Sequence, residues 1–160
     1  MTFIRPSGFK PSSLNEFDAM ISTAHSLVFP IGEKEVGKLL IKNSKRDIEW
    51  EAQRLSYANQ INDLMVKFIR VDNMNGYHIL VMERIYPMHK SAFSEGEKIV
   101  MLASYEEKLT ALHQAGFAHC DLGEWAVNKT RILGQGNNIC YTPSGIRLVD
   151  AGESMLKEDV

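Results

Sequence analysis

The feature that most constrains the fold is a long helical pattern that stops at a glycine and runs straight into a polar loop. Ser94 and Glu97 have the spacing of a capping box, and Gly116 stands where a left-handed residue ends a helix. Between them an apolar stripe recurs at helical spacing, formed by Ile99, Leu102, Leu109 and Leu112. The stretch "LHQAGFAHCDLG" (112–123) then follows the helix end with a histidine, a cysteine and an aspartate. The sequence therefore predicts one long helix followed by a loop that carries reactive side chains.

The first half of the chain has the pattern of two strand pairs around one helix. The runs "AMISTAHSLVFPI" (19–31) and "VGKLLIKN" (36–43) are apolar and are joined by the turn-like "GEKE". An amphipathic helix capped by Ser44 is predicted for "SKRDIEWEAQRLSYANQI". A second strand pair follows, "LMVKFIRV" and "YHILVMERI", around the turn "DNMNG". The predicted order is therefore β, β, α, β, β.

After the long helix, two short strand-like pieces, "NICYTP" and "GIRLVDAG", flank the turn signal "PSG". The fold class is thus α+β, with an antiparallel N-terminal sheet and one helix over residues 1–86 and a smaller, mainly helical part over residues 87–160. A length of 160 residues allows one domain or two small lobes that share a cleft.

Composition excludes several classes of protein. The chain has 44% hydrophobic and 24% charged residues, and no apolar run is long enough for a membrane helix. The start, "MTFIRPSGFKPSS", does not have the form of a secretory signal, and two cysteines without CxxC spacing fit a reduced cytoplasmic protein without zinc. The net charge of −2 and the short basic cluster Lys42, Lys45 and Arg46 do not indicate nucleic-acid binding.

Three charged residues stand where apolar elements end. Asp121 follows "GFAHC", Asp150 follows the apolar run "IRLV", and Lys42 ends "KLLIK". Taken singly, each aspartate has an ordinary explanation as a turn or capping residue, and the lysine as a solvated one. Only their order along the chain points to chemistry.

That order resembles the protein-kinase fold over nearly the whole chain. In that family a strand lysine contacts the α and β phosphates of ATP and pairs with a helix glutamate. The resemblance implies that Lys42 is this lysine, in "VGKLLIK". The helix position implies Glu51 as its partner, since Glu51 flanks the apolar face, with Glu49 as the second choice.

The same resemblance assigns the base-binding and catalytic residues. "YHILVMERI" resembles the strand that enters the hinge, so Met82 would be the gatekeeper and Glu83 to Ile85 would offer backbone groups to adenine. "LHQAGFAHCDLG" resembles the family passage LHxxGhxHxDL. Asp121 would then accept the proton of a substrate hydroxyl, and His119 would support the loop.

The magnesium ligands match the family pattern only if the alignment is shifted after the catalytic aspartate. The family places its magnesium asparagine five residues after the catalytic aspartate, where this chain has Ala126. "NICYTPSGIRLVDAG" resembles the family's NILhxxxGxhKLhDFG, which implies that Asn138 and Asp150 hold Mg²⁺ and that about twelve residues are inserted in the catalytic loop. Asn128 remains a third candidate for the asparagine.

Three departures from the family pattern stand out. The phosphate-covering loop has no glycine, and the small residues Ser22, Thr23, Ala24 and Ser26 take its place. Ala151 stands where the family has the DFG phenylalanine, so its packing switch is expected to be absent. Eight residues follow Gly152, so we expect no activation segment, no APE motif and none of the later helices of the peptide platform.

Two functions are compatible with these residues. The first is a minimal ATP- and magnesium-dependent kinase that phosphorylates a hydroxyl, on a protein substrate. The second is a pseudokinase, an inactive module that binds a partner protein or a nucleotide. Compact chains of this kind occur among bacterial effectors and phage proteins, which by analogy allows a host-cell cytoplasm as well as that of the producing cell. The apolar surface around Leu102 and Leu109 is expected to be covered by the insertion or by a second subunit in a homo-oligomer.

Overall fold

The structure, a computed structural model, describes residues 21–22, 25–120, 138–152 and 154–157. Its helices are α1 (Lys45–Ile61) and α2 (Glu95–Gln114), and a 3₁₀ turn covers Lys90–Ala92. The strands in chain order are β1 (Ile21–Ser22), β2 (Ser26–Pro30), β3 (Glu35–Leu40), β4 (Phe68–Met74), β5 (Tyr77–Glu83), β6 (Phe117–Ala118), β7 (Ile139–Thr142), β8 (Gly145–Leu148) and β9 (Met155–Leu156). Neither helix is long and apolar enough to cross a lipid bilayer, within the residues that the structure describes.

The chain divides into two compact units. The first contains the described residues up to Gln53 together with Lys67–Ile85, and the second contains Arg54–Val66 and the described residues from Tyr86 onward. The boundaries therefore fall within α1, between Val66 and Lys67, and between Ile85 and Tyr86.

The first unit is built on a five-stranded antiparallel sheet with the order β1-β2-β3-β5-β4. The predicted turns explain two of its hairpins, β2-β3 and β4-β5. In the β4-β5 hairpin Asn75 (φ 52°) and Gly76 (φ 85°) are both left-handed, which is the backbone of the two-residue turn that matches strand twist. The predicted strand pairs around one helix are confirmed, and the first run contains a short extra strand, β1.

One face of this sheet carries a buried apolar cluster, formed by Phe29, Ile31, Leu39, Met74, Ile79 and Val81. Gly37 lies between two of these side chains, because an added Cβ would stand 2.7 Å from the Phe29 ring and 2.8 Å from Ile79. Successive residues of a strand point to opposite faces, so the neighbour of Gly37 in the chain, Lys38, points the other way.

Helix α1 begins as predicted. The Ser44 hydroxyl accepts a hydrogen bond from the backbone N–H of Asp47 at 3.2 Å, which satisfies one of the unpaired donors of the first turn. The helix buries Ile48, Ala52 and Leu55 on one side, as the periodicity indicates. It also buries Glu51, a charged residue on the same side.

The second unit contains α2 and two small antiparallel sheets, β6-β9 and β7-β8. The predicted capping box is present, since the Ser94 hydroxyl accepts from Glu97 N–H at 3.1 Å and the Glu97 carboxylate accepts from Ser94 N–H at 2.9 Å. The helix ends at Gln114, and Gly116, two residues later, has a φ of 91°, the left-handed conformation expected there. The long helix and its two end signals are confirmed.

The predicted apolar surface on α2 lies elsewhere than expected. Leu102 is 7% exposed and Leu109 is half-buried, so neither forms an open patch. The exposed apolar residues are instead Ile99 at 67% and Val100 at 69%. The predicted stripe therefore differs in exposure along the helix, because Ile99 is exposed whereas Leu102 and Leu112 are buried. That the insertion or a second subunit covers an apolar surface of α2 stays a prediction.

Tyr105 on α2 is buried with a hydroxyl that has no hydrogen-bond partner among the described residues. Replacing it with phenylalanine should raise the free energy of unfolding by about 1 kcal/mol at pH 7, because the desolvated hydroxyl is removed. Burial raises the pKa of Tyr105 to about 12. The folded chain thus holds the proton more tightly than the unfolded chain, so wild-type stability falls as the pH rises from about 10 towards 12.

Urea unfolding of wild type and Tyr105→Phe at pH 7 and at alkaline pH measures both effects. The difference between the two proteins should widen above pH 10. Tyr86→Phe is the control, since Tyr86 is 54% exposed and its hydroxyl can bind water. A Tyr105→Phe protein less stable than wild type at both pH values would show that the hydroxyl is satisfied.

Candidate functional site

A buried ion pair joins the sheet and the helix of the first unit. Lys38 Nζ lies 2.9 Å from Glu51 Oε1 and 3.1 Å from Oε2, and the two side chains are 8% and 3% exposed. Lys38 sits in the middle of β3, on the face opposite Gly37, and Glu51 sits on the second turn of α1. The lysine therefore contacts both carboxylate oxygens in a place from which water is largely excluded.

This pair corrects the assignment of the strand lysine. Lys42 was expected to face Glu51, but β3 ends at Leu40 and Lys42 lies exposed in the turn that follows. The pairing of Lys42 with Glu51 is therefore wrong, and Lys38 takes its place. Lys38 and Lys42 are an even number of residues apart, so the alternation of side chains between the two faces of a strand does not distinguish them. The signal that does so is position, because a lysine inside the apolar run "VGKLLI" needs a partner when that run is buried.

The two candidate carboxylates of α1 differ as expected. Glu51 is 2% exposed, whereas Glu49 is exposed and lies 3.7 Å from Lys45 on the helix surface. Glu51 is thus the acid that faces the sheet. Its role towards a nucleotide stays a prediction.

The predicted base-binding stretch follows β5. Met82 is buried at the end of this strand. The backbone N–H of Glu83 donates to Lys67 O at 3.0 Å, and that of Arg84 donates to Lys34 O at 2.8 Å. Ile85 N–H donates to no residue that the structure describes. Of the three predicted residues, only Ile85 has a backbone N–H left for a ligand.

The predicted phosphate-covering residues are only partly visible. Ser22 ends β1 and pairs in register with Leu27, while Ser26 begins β2, pairs with Leu40 and is half-buried. Thr23 and Ala24 lie outside the described residues. Ser22 and Ser26 thus lie on two antiparallel strands, on either side of residues 23–25.

In the second unit, a chain of hydrogen bonds connects the end of the polar loop to the β7-β8 hairpin. His119 is 1% exposed, and its Nε2 lies 2.8 Å from Val149 O. A carbonyl can only accept, so Nε2 carries the hydrogen. Val149 N–H in turn donates to Asn138 O at 2.9 Å. His119 therefore hydrogen-bonds to the carbonyl of the residue before Asp150, and the N–H of that residue hydrogen-bonds to Asn138.

Asn138 and Asp150 lie at the open end of one hairpin. Ile139 pairs with Leu148 in the β7-β8 ladder, so the residues just outside this pair, Asn138 and Val149, are opposite each other and Asp150 follows directly. The alignment with the family motif from which Asn138 was selected also predicted a hairpin here, and the hairpin is confirmed. Asn128 and the catalytic aspartate Asp121 lie outside the described residues.

Asp150 has a strained backbone. Its φ is 65°, the left-handed region that non-glycine residues seldom adopt, and its Oδ1 accepts a hydrogen bond from Gly152 N–H at 2.9 Å. Cys120, between His119 and Asp121, is also left-handed with φ 67°. Such conformations cluster at functional sites, where surrounding contacts hold them in place. Ala151, next to Asp150, is fully buried.

The donor set of the hairpin suits a magnesium ion held together with phosphates. Among the described residues no group of three or more His, Cys, Asp or Glu side chains could hold a metal alone. Mg²⁺ commonly binds through one or two carboxylates, with substrate phosphates and waters as its other ligands. One carboxylate, Asp150, and one amide oxygen, Asn138, at the same hairpin end fit that requirement. Cys140, also on β7, has a thiol pKa that burial raises, so it is a poor thiolate ligand.

Comparison with known proteins supports the fold and leaves the function open. No protein-family model and no curated protein matches the chain. Among solved structures, the chain is similar to a Legionella pneumophila protein described as Lpg2603 kinase bound to IP6, with a TM-score of 0.59 and 18% sequence identity. The match covers 86% of this chain and 48% of the other, so the chain spans about half the length of that protein. The chain thus has a kinase-like α+β fold.

Proposed function

We propose that this chain binds Mg·ATP and transfers the γ-phosphoryl group to a hydroxyl, on a protein substrate. The observation that carries the proposal is the buried Lys38–Glu51 pair on a kinase-like fold. Asn138 and Asp150 at one hairpin end give it independent support, because they match the donor set that a metal-bound triphosphate needs.

The pair is better explained by ligand binding than by stability. Burying two opposite charges seldom stabilises a protein more than an apolar pair of similar size would, because both groups lose their hydration. Glu51 instead fixes the Lys38 ammonium at one place on the sheet, where it can contact phosphate oxygens without first giving up mobility. This supports Lys38 in the role that the sequence pattern suggested for Lys42.

In the second unit, Asp150 and Asn138 would hold the magnesium ion. The ion supplies neutralisation of phosphate charge when it is bound. Asp150 Oδ1 already accepts a hydrogen bond from Gly152 N–H, which orients the carboxylate. The Val149 N–H to Asn138 O bond keeps the two ligands on the same hairpin end.

Asp121 is the proposed acceptor of the substrate proton. In the transfer, the hydroxyl oxygen of the substrate forms a bond to the γ-phosphorus, and the bond from that phosphorus to the β–γ bridging oxygen breaks. ADP leaves with the bond's electron pair, and the hydroxyl proton passes to the Asp121 carboxylate. His119, two residues before Asp121 in the chain, is anchored to Val149 O and so supports the loop from one side.

A second candidate function is an inactive kinase-like module that binds a nucleotide or a partner. The observation that favours it is the sequence of residues 23–25, which join β1 to β2 and include no glycine that would let backbone amides approach a phosphate closely. Retention of a lysine, a glutamate, an asparagine and an aspartate favours catalysis instead, since an inactive module has no chemical need for the whole set.

Calorimetric titration with Mg·ATP tests the binding part of the proposal. Asp150→Asn is the most informative variant, because asparagine tolerates a left-handed backbone and can still accept from Gly152 N–H. It should keep the fold and lose at least tenfold in Mg·ATP affinity, which corresponds to about 1.4 kcal/mol of lost electrostatic attraction to the ion. Asp63→Asn is the matched control, since it removes a carboxylate of the same unit that pairs with Lys108 at 2.5 Å.

Phosphoryl transfer from labelled ATP to protein separates the two functions. Wild type should transfer phosphate, and Asp121→Asn should bind Mg·ATP but transfer none. Binding without transfer by the wild type would instead establish the inactive module. If wild type binds no nucleotide, and the Asp150→Asn and Asp63→Asn proteins behave like it, the proposed function is wrong.

A further inference from the structure

The segment that precedes Ile85 is fixed from both sides. On one side Glu83 pairs with Lys67: Glu83 N–H donates to Lys67 O at 3.0 Å, and the Glu83 carboxylate accepts from Lys67 N–H at 2.9 Å. On the other side Arg84 N–H donates to Lys34 O at 2.8 Å, in the turn between β2 and β3. Glu83 and Arg84 are therefore tied to two different neighbours of β5.

Arg84 adds a side-chain contact to the same turn. Its guanidinium Nη1 donates to Gly32 O at 3.0 Å, and the residue is only 7% exposed. Gly32 and Lys34 belong to a turn that is itself closed, because Ile31 N–H and Gly32 N–H both donate to Glu35 O. Arg84 thus connects the end of β5 to a turn that already has a defined shape.

Burial of the Arg84 guanidinium costs free energy, so we expect its hydrogen bond to Gly32 O to have a role. Charged groups lose hydration when they are buried, and arginine cannot lose its proton. A neutral residue could make the backbone bond to Lys34 O equally well, so the side chain is not needed for the sheet ladder. The guanidinium adds a second hydrogen bond from the same residue to the same turn. Two hydrogen bonds restrict the backbone dihedral angles of Arg84 more than one does.

We infer that Arg84 is a positioning residue for the base subsite of the proposed nucleotide site. By bonding Gly32 O through its guanidinium and Lys34 O through its backbone, it fixes the direction of the next N–H, that of Ile85. This is the backbone donor of the stretch that no described residue uses. A nucleobase with an acceptor nitrogen at its edge would receive that hydrogen bond. The inference rests on the proposed function, since it names a determinant of the same site.

The test compares two ligands that share a triphosphate chain, of which one carries a nucleoside and the other does not. Mg·ATP contacts both the base subsite and the phosphate subsite, whereas Mg·tripolyphosphate contacts the phosphate subsite alone. Arg84→Met removes the donor and keeps an unbranched stem. It should weaken Mg·ATP binding about tenfold and leave Mg·tripolyphosphate binding within about twofold of wild type. A change that merely loosens the fold would weaken both ligands together.

Two further variants sharpen the comparison. Arg84→Lys keeps a cationic donor that can reach a carbonyl, so it should recover part of the loss for Mg·ATP; it also decides the question if Arg84→Met does not fold. Lys34→Met is the matched control, because it removes an exposed cation from the same turn and keeps the carbonyl that Arg84 N–H uses. It should bind both ligands like wild type.

The outcomes distinguish this inference from the proposed function. If wild type binds both ligands and Arg84→Met binds both as wild type does, or loses both equally, Arg84 does not position the base and only this inference is overturned. If wild type binds neither ligand, the proposed function fails and this inference fails with it. A selective loss of Mg·ATP in Arg84→Met, partly recovered in Arg84→Lys, supports both.

Discussion

Replacing Lys38 with methionine should lower the free energy of unfolding by about 3–5 kcal/mol, the loss typical of breaking a buried ion pair on one side. The Glu51 side chain, which is 3% exposed, would lose the ammonium that lies 2.9 Å and 3.1 Å from its two oxygens. The hydration lost on burial is then no longer offset. Urea unfolding followed by circular dichroism measures the difference.

Two comparisons identify the cause of that loss. Lys42→Met should change the free energy of unfolding by less than about 0.5 kcal/mol, because Lys42 is an exposed turn residue. The double variant Lys38→Met with Glu51→Met should recover most of the stability that Lys38→Met alone loses, since an apolar pair fills the same space without a buried charge. A Lys42→Met protein as unstable as Lys38→Met would show that the strand lysine had been assigned to the wrong residue here.

The same variants distinguish stability from ligand binding. The double variant should fold well and yet bind Mg·ATP weakly, because it lacks the ammonium that is proposed to contact the phosphates. Tight Mg·ATP binding by a well-folded double variant would mean that Lys38 and Glu51 serve the fold alone.

Local signals were enough to predict the elements whose ends are set by local chemistry. The capping box of Ser94 and Glu97, the left-handed Gly116 and the Asn75–Gly76 turn all depend on residues a few positions apart, and all are confirmed. The strand boundaries were less accurate. Residues 64–66 were assigned to the strand that became β4, but Leu64 and Val66 bond to Leu148 of β8. That contact joins positions more than eighty residues apart and has no local signature.

In the candidate site too, the features set by nearby residues were predicted, and those set by tertiary contacts were not. The hairpin that carries Asn138 and Asp150 follows from a local turn, and the hairpin was predicted. The partner of Glu51 depends on where β3 ends against α1, which a pattern of apolar residues gives only to within a few positions, and the prediction chose a lysine four residues too late. The burial of the Arg54 and Arg84 side chains was not predicted, because only tertiary packing decides whether an arginine is buried.

Replacing His119 with alanine should lower the free energy of unfolding by about 2–4 kcal/mol. The imidazole is 1% exposed, so its removal leaves a cavity. Its loss also removes the donor that Val149 O accepts from at 2.8 Å. That carbonyl belongs to the peptide bond that leads into Asp150, whose left-handed backbone is itself costly by roughly 1–3 kcal/mol and needs contacts to hold it.

Two variants of similar size separate the cavity from the hydrogen bond. His119→Leu fills the space without a donor and should lose about 1–2 kcal/mol, whereas His119→Gln keeps a donor at a similar reach and should lose less. Exposed His113 near the end of α2 is the control, and His113→Ala should change stability by less than about 0.5 kcal/mol. If His119→Leu and His119→Gln are equally stable, the bond to Val149 O does not hold the hairpin end. If they differ as expected and Mg·ATP affinity falls in the same order, His119 acts on the metal ligands through the peptide before Asp150.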